Sequence, residues 1–221
     1  MQQNPHTPKV CSIITFNYDI CVDYAFYNKN RRIRYGLAEA EDQQATPLFK
    51  LHGSLNWGSC SECRRIVDWP LHAYFRNRYW ELEGRTKVVF PISQKLAEVT
   101  HCSGAGKLLE PFVVPPTWNK GQYHNELESV WRAAAKELST ARDIFVCGYS
   151  LPDTDQFFRL LYALGTAGTA RLRRFWVFDP NPEVGEKFRS LIGSSIKSRF
   201  EFFPRPFMEA IPLIRGKLML S

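Results

Sequence analysis

The sequence predicts an α/β chain, a Rossmann-like doubly wound parallel sheet carrying a small inserted module. Three observations predict it. Short apolar runs at residues 10–14 (broken only by Ser12), 144–147 and 175–178 have the composition of strands buried on both faces. They alternate with stretches whose apolar residues recur at helical spacing, above all Leu127, Val130, Trp131, Ala134 and Leu138. Each strand run also gives way to small or polar residues: Asn17 and Asp19, His52, Gly148 and Ser150, Asp179 and Asn181. In open α/β sheets ligands bind outside the carboxyl ends of the strands, so these ends predict a site.

Taken in order, residues 1–9 are polar with two prolines and read as a disordered tail, and the domain runs over 10–215. Residues 10–14 form a strand that enters the turn Thr15-Phe16-Asn17-Tyr18-Asp19. A helix carrying Ile20, Tyr24 and Tyr27 follows and ends before the basic cluster at 28–34. Residues 39–45 are loop-like. After Thr46-Pro47, residues 48–51 read as a buried strand broken only by Lys50, and Ser54 to Trp57 read as a turn. Residues 58–110 differ in texture, with short aromatic and Arg-rich segments between cysteines, and read as the inserted module. Strand character returns at 112–114 and is stopped by Pro115-Pro116, which cannot continue a central ladder. The remainder predicts a helix over 126–142, a strand over 144–147, a helix after Pro152 with Asp153 or Thr154 as cap, and a strand over 175–178. A helix over 183–192, a strand over 200–203 and a short closing segment at 207–214 complete the chain.

A chain of 221 residues suits one domain with an insertion, and 44% apolar content is enough for a core. No apolar run approaches a membrane span and the N-terminus has no apolar signal region, so the expected location is cytoplasmic, with no membrane partner. The net charge of +7 is scattered, as expected of solvated faces, and also suits an anionic ligand such as a dinucleotide. A specific nucleic-acid partner is not expected, because the aromatic residues fall in buried patterns and are not interleaved with basic ones.

Two local signals carry chemistry. His52 stands at the end of a strand beside Gly53, which lets a ligand approach closely, and this suits a general base. The cysteines divide into Cys11, Cys21 and Cys147 in apolar segments, expected to be core thiols, and Cys60, Cys63 and Cys102 in polar sequence. The second group favours a metal over disulfides in a cytosolic chain. Ala105 stands where a second Cys-x-x-Cys would place its partner, so two readings stand side by side: three thiolates completed by His101 or His72 in a structural zinc site, or a decayed zinc module. Adjacent His101 and Cys102 on one ion is geometrically demanding.

Four motifs, Thr15-Phe16-Asn17-Tyr18-Asp19, Lys50-Leu51-His52-Gly53-Ser54, Gly148-Tyr149-Ser150 and Asp179-Pro180-Asn181, together resemble the sirtuin (silent information regulator) superfamily. They look closest to bacterial sirtuin-like domains that hydrolyse NAD in anti-phage defence, and the segment at 114–120 is similar to one in that branch. The resemblance implies NAD as substrate, with His52 as general base, Asn17 holding water or ribose, and Asp19 positioning the nicotinamide end. It assigns Thr15, Gly53, Gly148, Ser150, Asp179 and Asn181 to the dinucleotide. The family's N-terminal Gly-Ala-Gly-x-Ser phosphate loop is absent before the first strand, so weakened NAD affinity is expected, and an inactive NAD or ADP-ribose-binding module is the alternative. Ser103-Gly104-Ala105-Gly106 follows no predicted strand and does not replace that loop. A protein deacylase is disfavoured, because residues 113–118 read Val-Val-Pro-Pro-Thr-Trp where deacylases carry Phe-Gly-Glu. Relatives of this kind imply a homo-oligomer or a partner sensor protein.

Overall fold

The computed structural model describes residues 11–38, 42, 44–69, 71, 98–114, 124–152, 172–194 and 196–219. The class is α/β with parallel sheets. The chain divides into two compact units, Met1–Ala133 and Ala134–Ser221, and each builds its own parallel sheet.

In the first unit, β1 (Ile13–Thr15) and β2 (Ile33–Arg34) flank β3 (Thr46–Lys50), both parallel to it. Helix α1 (Cys21–Asn28) makes the connection from β1. β3 is central, and Leu48 and Phe49 are fully buried. Leu48 and Phe49 suit a strand paired on both edges and covered on both faces. β2 lies in the basic cluster that the sequence reads as a helix end. Its parallel pairing to β3 was not visible there, because two residues carry no periodicity.

A second sheet of the first unit is antiparallel, with order β5-β4-β7-β6. It comprises β4 (Gly53–Cys60), β5 (Ile66–Asp68), β6 (Thr100–His101) and β7 (Gly106–Val113). The expectation of a turn over Ser54 to Trp57 is therefore corrected: these residues are strand. Ser54 and Asn56 are buried without loss because other side chains satisfy them, and Trp57 is wholly enclosed. The polar composition reads as a solvated turn, but the partners that satisfy it come from other segments.

Helix α2 (His124–Thr140) has the predicted buried stripe of Leu127, Val130, Trp131, Ala134 and Leu138. In the second unit, β8 (Asp143–Cys147), β9 (Arg174–Phe178) and β10 (Phe200–Phe203) form a parallel sheet with β9 central. Helix α3 (Pro182–Leu191) buries Val184, Gly185 and Phe188. A Cβ on Gly185 would come within 2.7 Å of the Phe202 ring, so glycine sets how closely helix and sheet approach. The closing segment is a helix, α4 (Phe207–Met219), longer than predicted, whose Ala210 packs with Trp176 and Phe178.

Cys11 and Cys21 are exposed, contrary to their expected core positions, and Cys147 is half-buried. The predicted helix after Pro152, residues 115–120 and His72 lie outside the described residues. Among the described residues, no helix is long and apolar enough to cross a membrane.

Candidate functional site

Parallel pairing of β1 with β3 sets Thr15 opposite Lys50, so the two strands end side by side. The Thr15–Asp19 turn leaves one end and the Leu51–Gly53 turn leaves the other. Their backbones are joined: Leu51 N–H donates to Thr15 O at 2.9 Å, and Leu55 N–H donates to Tyr18 O at 2.9 Å. The Phe16 ring meets the His52 imidazole edge-on, with centroids 5.3 Å apart. Thr15, Asn17, Asp19, His52 and Gly53 are thus brought together in one unit.

The turn that carries His52 is held on both sides. The Trp131 indole donates to Leu51 O at 3.0 Å, and Val114 N–H donates to His52 O at 2.9 Å. Gly53 takes φ +78°, and a Cβ there would stand 2.1 Å from the Phe112 carbonyl oxygen. No other residue fits. Gly53→Ala is expected to cost more than about 2 kcal/mol, from left-handed strain and the clash together. A lowered urea midpoint at unchanged slope checks this.

Asn17 is exposed and its side chain faces outward from a turn that Thr15 shapes, since the Thr15 hydroxyl accepts from Asn17 N–H at 3.0 Å. Asp19 Oδ1 accepts from Cys21 N–H at 2.9 Å and so anchors the start of α1. His52 is half-buried. The arrangement can present an imidazole and a carboxamide to one bound molecule.

Sequence reasoning missed what supports these turns. Lys50 and Asp23 form an ion pair at 2.7 Å with both side chains only 1% exposed. The Lys50 ammonium also donates to Asp19 O at 2.6 Å and to Ser54 Oγ at 2.8 Å. Burial lowers the Lys50 pKa, and Asp23 opposes that shift. The signals were there: one lysine inside an apolar strand, and one aspartate on the apolar side of α1.

In the second unit, Gly148 and Ser150 follow β8, and Asp179 and Asn181 follow β9. Gly148 takes φ +63°, has open space where a Cβ would be, and donates its N–H to Phe178 O at 3.1 Å. Asp179 Oδ1 accepts from Asn181 N–H at 2.8 Å, and Asn181 Oδ1 accepts from Glu183 N–H at 3.0 Å. Asn181 is therefore the N-cap of α3. Ser150 is exposed.

The antiparallel sheet brings Cys60, Cys63, His101 and Cys102 together, with one ligating atom from each all within 4.8 Å of one another. Two hairpin tips supply them. Arg64 at φ +61° lets the first tip fold back, and Arg64 N–H donates to Cys60 O at 3.0 Å. Cys102, Ser103 and Gly104 all take positive φ, and this tight left-handed turn swings adjacent His101 and Cys102 to one point. That resolves the demand which adjacency posed. The tips are stitched together by Ser61 N–H to Lys107 O at 2.9 Å and Lys107 N–H to Ser61 Oγ at 3.1 Å.

The donor set fits a tetrahedral metal ion. A tetrahedron around zinc has edges of about 3.8 Å between sulfurs and about 3.5 Å between sulfur and nitrogen. Cys60 Sγ lies 3.9 Å from Cys102 Sγ, and His101 Nδ1 lies 3.4 Å from Cys63 Sγ and 3.3 Å from Cys102 Sγ. The Cys63 backbone N–H, with that of Glu62, lowers the Cys60 thiol to about 6, while neighbouring thiols, Cys63 first, raise Cys102 to about 11. A cation placed among these sulfurs would favour their thiolate forms. A Cβ on Gly106 would meet Cys60 Sγ at 2.4 Å, so glycine clears the space for that ligand.

No protein-family model matches the chain, and no curated protein matches it. Solved structures do. A mutant Sir2 homologue in complex with ADP-ribose is 17% identical, with 96% of this chain and 62% of that one covered and a TM-score of 0.44. A Sir2 in complex with an inhibitor, 2'-O-acetyl-ADP-ribose and a deacetylated peptide is 14% identical, with coverage of 96% and 66% and a TM-score of 0.45. Sir2Tm bound to a propionylated peptide is 13% identical, with coverage of 95% and 65% and a TM-score of 0.45. The chain thus spans less than two thirds of the length of these structures. At such scores the overlap is too loose to transfer a function, and the case rests on the residues themselves.

Proposed function

We propose that this chain is a sirtuin-like NAD-binding domain that hydrolyses the nicotinamide–ribose bond. The observation that carries the reading is the joining of the Thr15–Asp19 and His52–Gly53 turns at the ends of adjacent parallel strands. In the reaction, water adds to the ribose carbon as the bond to nicotinamide breaks, giving nicotinamide, ADP-ribose and a proton. His52 takes that proton as general base. Asn17 offers a donor and an acceptor to the water or the ribose. Asp19 holds the turn through the start of α1, and Thr15 shapes it. Gly53 keeps backbone close to the ligand, and Gly148 and Ser150 supply backbone and hydroxyl to the dinucleotide. Asp179 and Asn181 already satisfy backbone N–H groups, so their part is to build the turn after β9.

Cys60, Cys63, His101 and Cys102 hold a structural zinc, which closes the two hairpin tips and takes no part in bond breaking. The biological setting in this reading is NAD depletion in anti-phage defence inside the cell, with a homo-oligomer or a sensor protein as partner. The second reading is an NAD or ADP-ribose-binding module without turnover. Nicotinamide release from NAD by the purified chain separates the two. Wild-type turnover is expected, with His52→Ala and Asn17→Ala each losing about 100-fold or more in kcat. Wild-type turnover that both variants retain overturns the assignment of these residues. Binding without turnover establishes the second reading.

A further inference from the structure

Four polar side chains form a closed ring with Lys50. Lys50 Nζ donates to Ser54 Oγ at 2.8 Å, and the Ser54 hydroxyl donates to Asn56 Oδ1 at 2.6 Å. Asn56 Nδ2 donates to the Tyr35 hydroxyl oxygen at 3.2 Å, and that hydroxyl donates to Asp23 Oδ1. Asp23 Oδ2, at 2.7 Å from Lys50 Nζ, closes the ring. The hydrogen bonds run from the Lys50 ammonium through Ser54, Asn56 and Tyr35 to the Asp23 carboxylate, whose other oxygen meets the ammonium as an ion pair. Burial, and next Asp23, holds the Tyr35 hydroxyl in its protonated, donating form well above the usual range. Of the three donors on the ammonium, one leaves the ring and goes to Asp19 O at 2.6 Å.

Stability alone does not account for this ring. A buried ion pair is generally no more stabilising than apolar side chains of the same volume. What apolar side chains cannot do is hold the Asp19 carbonyl. Lys50 sits at the end of β3, two residues before His52, and its ammonium reaches the far end of the turn that carries Asn17. We propose that Lys50, held in place by Asp23 and Ser54, is a positioning residue that sets the Asn17–Asp19 turn relative to His52. The Tyr35 and Asn56 side chains fix the direction of its partners. The proposal rests on the NAD-hydrolase reading for its kinetic consequence, but its geometric content stands apart from it.

The test is the paired variant Asp23→Asn with Lys50→Met, which removes the bond to Asp19 without leaving a buried charge unpaired. On folded protein, checked by circular dichroism and thermal unfolding, kcat for nicotinamide release is expected to fall about 10- to 100-fold, while KM for NAD changes less than about threefold. A purely structural role moves the melting temperature and leaves kcat per folded molecule alone. A folded double variant with kcat within about twofold of wild type overturns the proposal. Ser54→Ala, which removes one partner of Lys50 and buries no lone charge, gives the same split at about three- to tenfold if the double variant does not fold. Amide hydrogen exchange supplies a readout that does not depend on turnover. Exchange at Asn17 to Cys21 is expected to speed up in the variants while β3 stays protected, and unchanged exchange there overturns the proposal. Wild-type protein that releases no nicotinamide refutes the hydrolase reading alone, and the exchange result still decides the role of Lys50.

Discussion

Lys50→Met by itself is expected to destabilise the chain by about 3–5 kcal/mol, because it leaves the Asp23 carboxylate buried without its cation. Asp23 is 1% exposed, so water cannot replace the lost partner. The loss is a large part of the roughly 5–15 kcal/mol that holds a typical domain folded. Urea unfolding measures it as a shift in midpoint, and adding Asp23→Asn is expected to recover most of it. That recovery separates the cost of an unpaired charge from the loss of side-chain packing. A Lys50→Met protein within about 1 kcal/mol of wild type would mean that Asp23 finds water or another donor, and the ring is then not the closed unit described above.

Removal of the proposed zinc is expected to have an effect at least as large, confined at first to the sheet of β4 to β7. Structural zinc sites carry apparent binding free energies of about 10–16 kcal/mol in small peptides, and that energy is folding energy. Here β4 runs from Gly53, beside the proposed general base, to the proposed ligand Cys60, with two register shifts against β7 on the way. Metal loss at one end of the strand therefore loosens the His52 turn at the other. Native mass spectrometry is expected to find one zinc per chain. Chelation, or Cys60→Ser, is expected to remove amide protection from β4 and β7 and to red-shift emission from Trp57, which is fully buried on β4. Metal-free protein that keeps its protection along β4 and β7 would rule out a structural role for the ion.

What was legible in the sequence depended on repetition. Helix α2 announced itself through five apolar residues at helical spacing, and β3, β8 and β9 through apolar runs bounded by turn residues. β2 has two residues and could not. The order of the strands, with β3 central in one sheet and β9 in another, is a property of pairing between distant segments, and composition does not encode it.

The site followed the same rule. The sequence by itself determined which residue types stand at the strand ends, and it singled out Cys60, Cys63 and Cys102 as the three thiols in polar surroundings. It also carried two exclusive choices for the fourth ligand and a reading of Ser54 to Trp57 as turn. The tertiary structure corrects the second and brings His101 to the thiols, while His72 lies outside the described residues. The left-handed turn at Cys102 to Gly104 brings His101 beside the three thiols, because backbone dihedrals, not spacing, decide whether adjacent side chains can point to one place. Ser54 and Asn56 lie inside a strand because Lys50 and Tyr35 reach them from other segments. A polar residue looks solvated until the partner that satisfies it is known, and that partner is chosen by the fold.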